Sequence, residues 1–391
     1  MTIERAQVLN GVVLLALLAV FVFAMGLVQN DYYVKIVMLI GMNVILAVSL
    51  TITSGFTGVF SLGQIGFMAI GAYTSALMTI PPAAKPQALL PGLPGWLSNL
   101  DLVRSLAGVL SGAGLAAEQA AAIAGPLALV VAALAGALLA AGVAVLVGIP
   151  LMRLSGHYVA VATLGFLVIV NAIALNLDSV TRGARGLGSI PALSRIWIVY
   201  VFAAITVYAV WRIRSSPFGR AMLAQRENVA AAQAMGVDIL RTRLLAFVVG
   251  AFFSATAGAL WAHMVTAVAP NAFYFIYTVN VIVMIVVGGM GSVTGAVIGA
   301  VLLTLIPELL RGLEGGATIG PIKLPLLFGL SNIILAVGFV LVMIYRRTGL
   351  MGNRELPLFW PAARTTATPA PPVQAPAPLS SKEVIAPTTD S

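Results

Sequence analysis

The sequence predicts an all-α polytopic membrane protein, and three observations carry that reading. Of 391 residues, 60% are hydrophobic and only 8% are charged, whereas a soluble domain carries roughly a quarter charged residues. The apolar residues gather in long Leu-, Ala- and Val-rich runs of the length that one helical crossing of hydrocarbon requires. Barrel strands alternate over about ten residues instead, and a helix pairs its own backbone donors and acceptors inside lipid. Hydropathy gives about ten transmembrane helices.

In chain order, the expected spans are 10–28, 33–52, 58–80, 126–149, 156–175, 196–214, 243–265, 275–290, 293–310 and 325–345. The first is too apolar and long for a signal peptide and has no clear cleavage site, so it reads as a retained helix. Residues 81–125 are rich in Pro, Gly and small residues and read as an external loop insertion with one or two short amphipathic helices. Residues 1–356 read as one transmembrane domain, with a basic loop at 215–242. Residues 357–391 form a Pro/Ala-rich tail with little to bury, expected to be disordered. Arg212, Arg214, Arg220, Arg226, Arg241 and Arg243 set the loop in the cytoplasm. That assignment puts Arg5, Arg153, Arg346 and both termini on the same side. Arg182, Arg185 and Arg195 then fall outside, against the usual bias. Arg182 and Arg185 call for a specific partner, either Asp178 or an acidic residue of an external protein.

Several function classes are excluded by what is missing. The chain has no Cys and only two His, so no metal site is expected. His157 reads as an interfacial side chain and His263, beside Trp261, as part of an outer aromatic belt. The net charge of +9 sits at span ends and reads as topology, with no nucleic-acid partner. None of Lys35, Lys85, Lys323 and Lys382 follows a Gly, so the phosphate-cradling Gly-Lys-Ser/Thr loop is missing. No paired carboxylates or activated nucleophile suggest an enzyme. An ion-coupled secondary transporter needs ionisable groups well inside the bilayer; here the charges gather at span ends, and Glu308 with Arg311 makes a simple surface pair.

The stretch 216–236, SPFGRAMLAQRENVAAAQAMG, reads as a short helix pair at the membrane surface, with Pro217 at a helix start and Gly236 at a stop. Two glycine-rich segments, 55–71 and 288–299, echo each other within apolar helices. Glycines at such spacing allow close packing or unwinding beside a pore. Ala231-Ala232 followed by Gly236 resembles the cytoplasmic signature of ABC importer permeases. Residues 54–76, SGFTGVFSLGQIGFMAIGAYTSA, together with 154–191, 216–264 and 284–300, resemble, in order, the motifs of branched-chain amino acid ABC permeases of the M type.

The resemblance implies an importer with a second related permease, two cytoplasmic ATPase subunits that bind the ATP, and an external solute-binding protein. The chain itself then needs no cofactor and sits in a bacterial inner membrane, in contact with lipid. The small-molecule substrate would be a branched-chain or other small hydrophobic amino acid, or alternatively urea or a short amide. The coupling loop would comprise Phe218, Gly219, Arg220, Arg226, Glu227, Asn228, Ala231, Ala232, Met235 and Gly236. Ala230 stands where that loop usually has an acidic residue, and Glu227 lies one turn earlier. Candidates for the translocation path or substrate are Ser61, Gly63, Gln64, Tyr73, Tyr158 and Thr163. A second set, Asn176, Asp178, Thr181, Gly183 and Gly186, offers donors and acceptors to a zwitterion on flexible backbone. The alternative for that set is a helix end followed by a polar turn.

Overall fold

The computed structural model of the chain describes residues 30–85, 95–154, 156–314, 318–319, 322–323, 329–346, 348–352 and 355. The expected span 10–28 and the tail 357–391 lie outside them. The helices are α1 (Asp31–Leu50), continued by a π-helical turn (Thr51–Phe56), α2 (Gln64–Thr79), α3 (Leu102–Gly112), α4 (Ala117–Leu151), α5 (Tyr158–Asn176) and α6 (Ile196–Ser215). Two short ones follow, α7 (Pro217–Glu227) and α8 (Val229–Ala234), then α9 (Ile239–Val265), α10 (Phe275–Gly288), α11 (Val293–Glu314) and α12 (Leu330–Tyr345). A two-residue antiparallel ribbon pairs Thr318–Ile319 with Ile322–Lys323. Among the described residues, seven helical segments are long and apolar enough to cross a membrane. At 16 residues each, α2 and α12 are shorter than those.

Two boundaries differ from the sequence reading. The span expected at 58–80 becomes helical only at Gln64, because the chain leaves the helix after Thr57 and Gly58 takes φ +72°. Residues 117–125, read with the external loop, form the first turns of α4. The Ala-rich run there is a strong helix former and carries the helix through Pro126. With 35 residues, α4 is about 52 Å long at 1.5 Å per residue.

The packing follows from side-chain size. The buried face of α4 is a stripe of small residues, Ala120, Ala124, Ala128, Ala132, Gly136, Ala140, Ala144 and Gly148, while Leu138 and Leu146 point outward and are exposed. Large apolar groups outside and small ones inside is the pattern of helices that meet backbone to backbone in lipid. A methyl at Gly71 would overlap the Ala255 carbonyl of α9, one at Gly258 would overlap the Met68 carbonyl of α2, and Gly136 of α4 abuts Gly71 itself. Thus α2, α4 and α9 form a tight centre. The α10–α11 hairpin closes similarly, with Gly288 against Gly295 and Gly299 against Met284, and packs on α1. There Asn43 donates to Thr304 at 2.8 Å and accepts from Tyr277 at 2.9 Å.

Helix directions define two ends. The Tyr200 hydroxyl donates to the Val37 carbonyl at 3.1 Å, and Arg226 reaches the Gly55 carbonyl at 2.8 Å. The turns at 57–63, 216–238 and 289–292 therefore share one arginine-rich end, and 80–85, 95–116, 177–195 and 266–274 lie at the other. At that opposite end Lys85 donates to the Leu100 carbonyl at 2.9 Å. Burial lowers its ammonium to about 8, partly offset by Asp101. His263 does not join an aromatic belt. It is fully buried, its Nδ1 lies 2.9 Å from the Pro191 carbonyl, and its Nε2 faces Thr79. Glu308 and Arg311 form the expected surface pair at 3.4 Å.

The contact at Gly71 gives a direct test. Gly71→Ala is expected to destabilise the detergent-solubilised protein by about 1–3 kcal/mol, the usual cost of overpacking. Gly142→Ala, where nothing lies within 4 Å, is expected to be neutral in the same thermal-unfolding assay.

Candidate functional site

The arginine-rich end is built around the α7–α8 pair, in which each helix start has its own cap. The Ser216 hydroxyl accepts from Gly219 N at 3.3 Å, Asn228 accepts from Ala231 N at 3.0 Å, and Asp238 accepts from Arg241 N at 3.0 Å. Gly219 is buried where a side chain would overlap the Ile213 and Arg214 carbonyls, so α7 folds tightly back on the end of α6. Gly236 takes φ +83° and closes α8, with Val237 N bonding the Ala232 carbonyl at 3.0 Å. Ala232 faces inward, whereas Phe218, Val229 and Met235 are exposed, Met235 to 85%. Arg220, Glu227, Asn228, Ala231 and Gly236 are also on the surface. The loop therefore presents exposed apolar side chains among charged ones. Sequence reading missed Val229, an exposed apolar residue directly after the Asn228 cap.

Behind this loop lies the first helix break, 57–63. Its amides find side-chain partners: Ser54 Oγ accepts from Ser61 N at 3.1 Å, and Thr163 Oγ1 of α5 accepts from Leu62 N at 3.0 Å. On the other side, Arg226 of α7 donates to the Gly55 carbonyl at 2.8 Å and lies along Gly58. Gly63 abuts Thr163 and Phe166 of α5. From this break a column of buried hydroxyls and one amide runs inward. Ser49 Oγ and Ser254 Oγ are 2.8 Å apart, Ser254 donates to Gln64 Oε1 at 3.0 Å, and Gln64 Nε2 donates to Thr53 Oγ1 at 3.0 Å. Ser61 Oγ and the Tyr73 hydroxyl, both buried, lack a hydrogen-bond partner among the described residues. The break flanks a cleft lined by Thr53, Thr57, Ser61, Met152, Arg243 and Phe247.

The second break, 289–292, meets the first. A methyl at Gly55 would overlap the Met290 carbonyl. The carbonyls left free at the end of α10 are taken by the segment after α12, Val287 by Leu350 N at 2.8 Å and Gly288 by Met351 N at 3.0 Å. The amides that open α11 are taken by Glu355, whose carboxylate accepts from Val293 N at 2.8 Å and Thr294 N at 3.0 Å. Arg214 pairs with the same carboxylate at 2.7 Å, and its guanidinium lies 5.8 Å from the Phe56 ring.

The structure thus gathers Ser61, Gly63, Gln64 and Thr163 into one neighbourhood, with Tyr73 further along α2. It does not bring the remaining candidates there. Tyr158 is 74% exposed on α5, and Asn176 and Asp178 are exposed at the opposite end. Thr181 is buried and serves its own turn, donating to the Ala174 carbonyl at 2.7 Å. Gly183 takes φ +53° against Asp178, and Gly186 takes φ +68° against Val268, so both act as backbone corners. Neither Arg182 nor Arg185 forms an ion pair with Asp178. Asn171, absent from the sequence candidates, is what ties α5 to this end, donating to the Pro270 carbonyl at 2.8 Å.

A family model for the permease component of branched-chain amino acid transport systems matches residues 32–345. The chain belongs to that family. It is a multi-pass membrane permease. It is 29% identical over 383 residues to the high-affinity branched-chain amino acid transport system permease protein LivM of Salmonella typhimurium, covering 89% of this chain and 76% of the relative. LivM of Escherichia coli is 28% identical, with 90% and 76% covered. LivH of Escherichia coli is 29% identical over a shorter stretch, 41% of this permease and 47% of LivH. No solved structure matches. The region matched ends at Tyr345, so Leu350, Met351 and Glu355 of this permease lie beyond it.

Arg226→Gln removes a charge-assisted bond worth about 1.5–3 kcal/mol. Amide hydrogen exchange in residues 55–62 is expected to accelerate, while exchange in the middle of α4 stays unchanged.

Proposed function

We propose that this permease is a membrane-spanning subunit of an ABC importer. It forms part of the path for branched-chain or other small hydrophobic amino acids, while separate ATPase subunits bind and hydrolyse the ATP. One observation carries the reading: family membership over 32–345 coincides with a capped α7–α8 pair that exposes Phe218, Val229 and Met235. In this reading the pair docks into an ATPase groove, and the arginine-rich end is cytoplasmic, as expected of short Lys/Arg-rich connections. The membrane is the bacterial inner membrane. A second related permease supplies the other half of the path, and an external binding protein delivers the solute to the opposite end.

Mechanistically, closure of the ATPase pair pulls on α7–α8. Because Gly219 seats α7 on α6 and Arg226 is bonded to Gly55, the pull reaches the first break without a flexible joint. Helices α1 and α2 then tilt about residues 57–63, and the column Ser49–Ser254–Gln64–Thr53 repacks at the hinge. A hinge is the economical way to switch access, since packed helices move as rigid bodies. Gln64 and the two unpartnered hydroxyls, Ser61 and Tyr73, are the groups available to a zwitterionic or amide solute.

The deciding experiment is uptake into proteoliposomes carrying this permease, its partner permease and the ATPases, with the binding protein outside. ATP-dependent accumulation of labelled leucine, outcompeted by isoleucine and valine, is the expected result; preference for urea or a short amide would move the substrate and keep the importer. Uptake driven by an ion gradient without ATP would overturn the reading. Within the same system, Met235→Asp is expected to abolish co-purification of the ATPases. Gly236→Val, which forces a β-branched residue into left-handed backbone at a cost of roughly 1–2 kcal/mol, is expected to reduce uptake strongly. Gly236→Asn is expected to retain most of it, since the surrounding space is open.

A further inference from the structure

Glu355 lies ten residues beyond the end of the family match at Tyr345, yet it is among the most densely bonded side chains described. One oxygen accepts from Val293 N at 2.8 Å and from Arg214 at 2.7 Å. The other accepts from Thr294 N at 3.0 Å, Thr294 Oγ1 at 2.8 Å and Ser292 Oγ at 3.1 Å. The side chain is only 8% exposed. A carboxylate so enclosed is tolerable only with its partners in place, because an unpaired buried charge is far more costly than a broken surface pair. The helix N-terminus adds its own positive end to that of Arg214.

The position of Arg214 gives the arrangement a direction. It is three residues before Pro217, where α7 starts, and α7 cannot shift without dragging it, because Gly219 is pressed on the Ile213 and Arg214 carbonyls. Its guanidinium also faces the Phe56 ring at the end of the π-helical turn. Loop, first break and second break therefore converge on one guanidinium and one carboxylate.

We propose that Glu355 is a positioning residue for transport: with Arg214 it forms a strut that carries displacement of the α7–α8 loop to the α10–α11 turn. The inference rests on the coupling role given above to that loop. Without the strut, the loop moves and the second break does not follow.

Two measurements test it. In the assembled importer in proteoliposomes, leucine uptake and ATP hydrolysis are followed together for Glu355→Gln and Glu355→Asp. Uptake per ATP is expected to fall roughly fivefold or more in Glu355→Gln, the range of an ordinary coupling free energy, with Glu355→Asp retaining more. Parallel loss of uptake and hydrolysis in proportion to folded protein, or an unchanged ratio, would overturn the strut. The second measurement uses the purified permease alone. Amide hydrogen exchange over 289–296 is compared with and without Gly236→Val, in the wild-type and Glu355→Gln backgrounds. The loop substitution is expected to alter exchange at the turn in the wild type and not in Glu355→Gln. An equal response in both, or none in either, would overturn the proposal. If the wild-type assembly fails to link ATP to uptake, the importer reading fails and the exchange comparison still judges the strut.

Discussion

Where a helix stops against other parts of the protein, its freed amides and carbonyls need partners there. Two such stops, 57–63 and 289–292, govern the arrangement of this chain's arginine-rich end. The hydroxyls of Ser54 and Thr163 take amides of the first, and Arg226 takes a carbonyl. Glu355, Leu350 and Met351 take those of the second. The satisfying groups come from the end of α1, α5, α7 and the segment after α12, and Arg214 of α6 pairs with Glu355, so meeting the backbone's demand also joins these elements. The same bonds that satisfy this irregular backbone make the two breaks mechanically dependent on one another.

Away from the breaks, the structure is held by the absence of side chains. Lipid tails are as apolar as Leu, so burying large hydrophobic groups between helices gains little, and dispersion between closely opposed backbones has to do more. Gly71 and Gly258 bring α2 and α9 together where a Cβ would overlap the facing backbone, and Gly136 lets α4 abut Gly71. This rigid centre contrasts with the hydroxyl-rich seam beside it, where Gln64, Ser254 and Thr53 exchange bonds among side chains and can rearrange without breaking helices.

The helices were legible in the sequence because hydropathy over a span is a sum, and sums survive local error. The breaks were only half legible. Glycines at 55, 58 and 63 signalled permissive backbone, but the place where the helix ends depended on Ser54 and Thr163, which are far apart in the chain. Pro126 was misleading for the opposite reason: an alanine run outweighed a residue that usually marks a boundary. The α7–α8 pair was read well, since caps and stops are local. Asn176 and Asp178 were picked by composition, which cannot reveal facing; the structure leaves both exposed, one at the end of α5 and the other in the short turn after it. Glu355 gave almost no signal, being a lone carboxylate near a Pro-rich tail whose partners lie more than sixty residues earlier.

That separation fixes an order of events during synthesis. Val293 and Thr294 emerge and insert 62 and 61 residues before the carboxylate that accepts from them. Until the chain has been made as far as Glu355, the start of α11 lacks the carboxylate that accepts from its amides. A chain cut short after α12 would therefore lack the carboxylate that joins the start of α11 to Arg214.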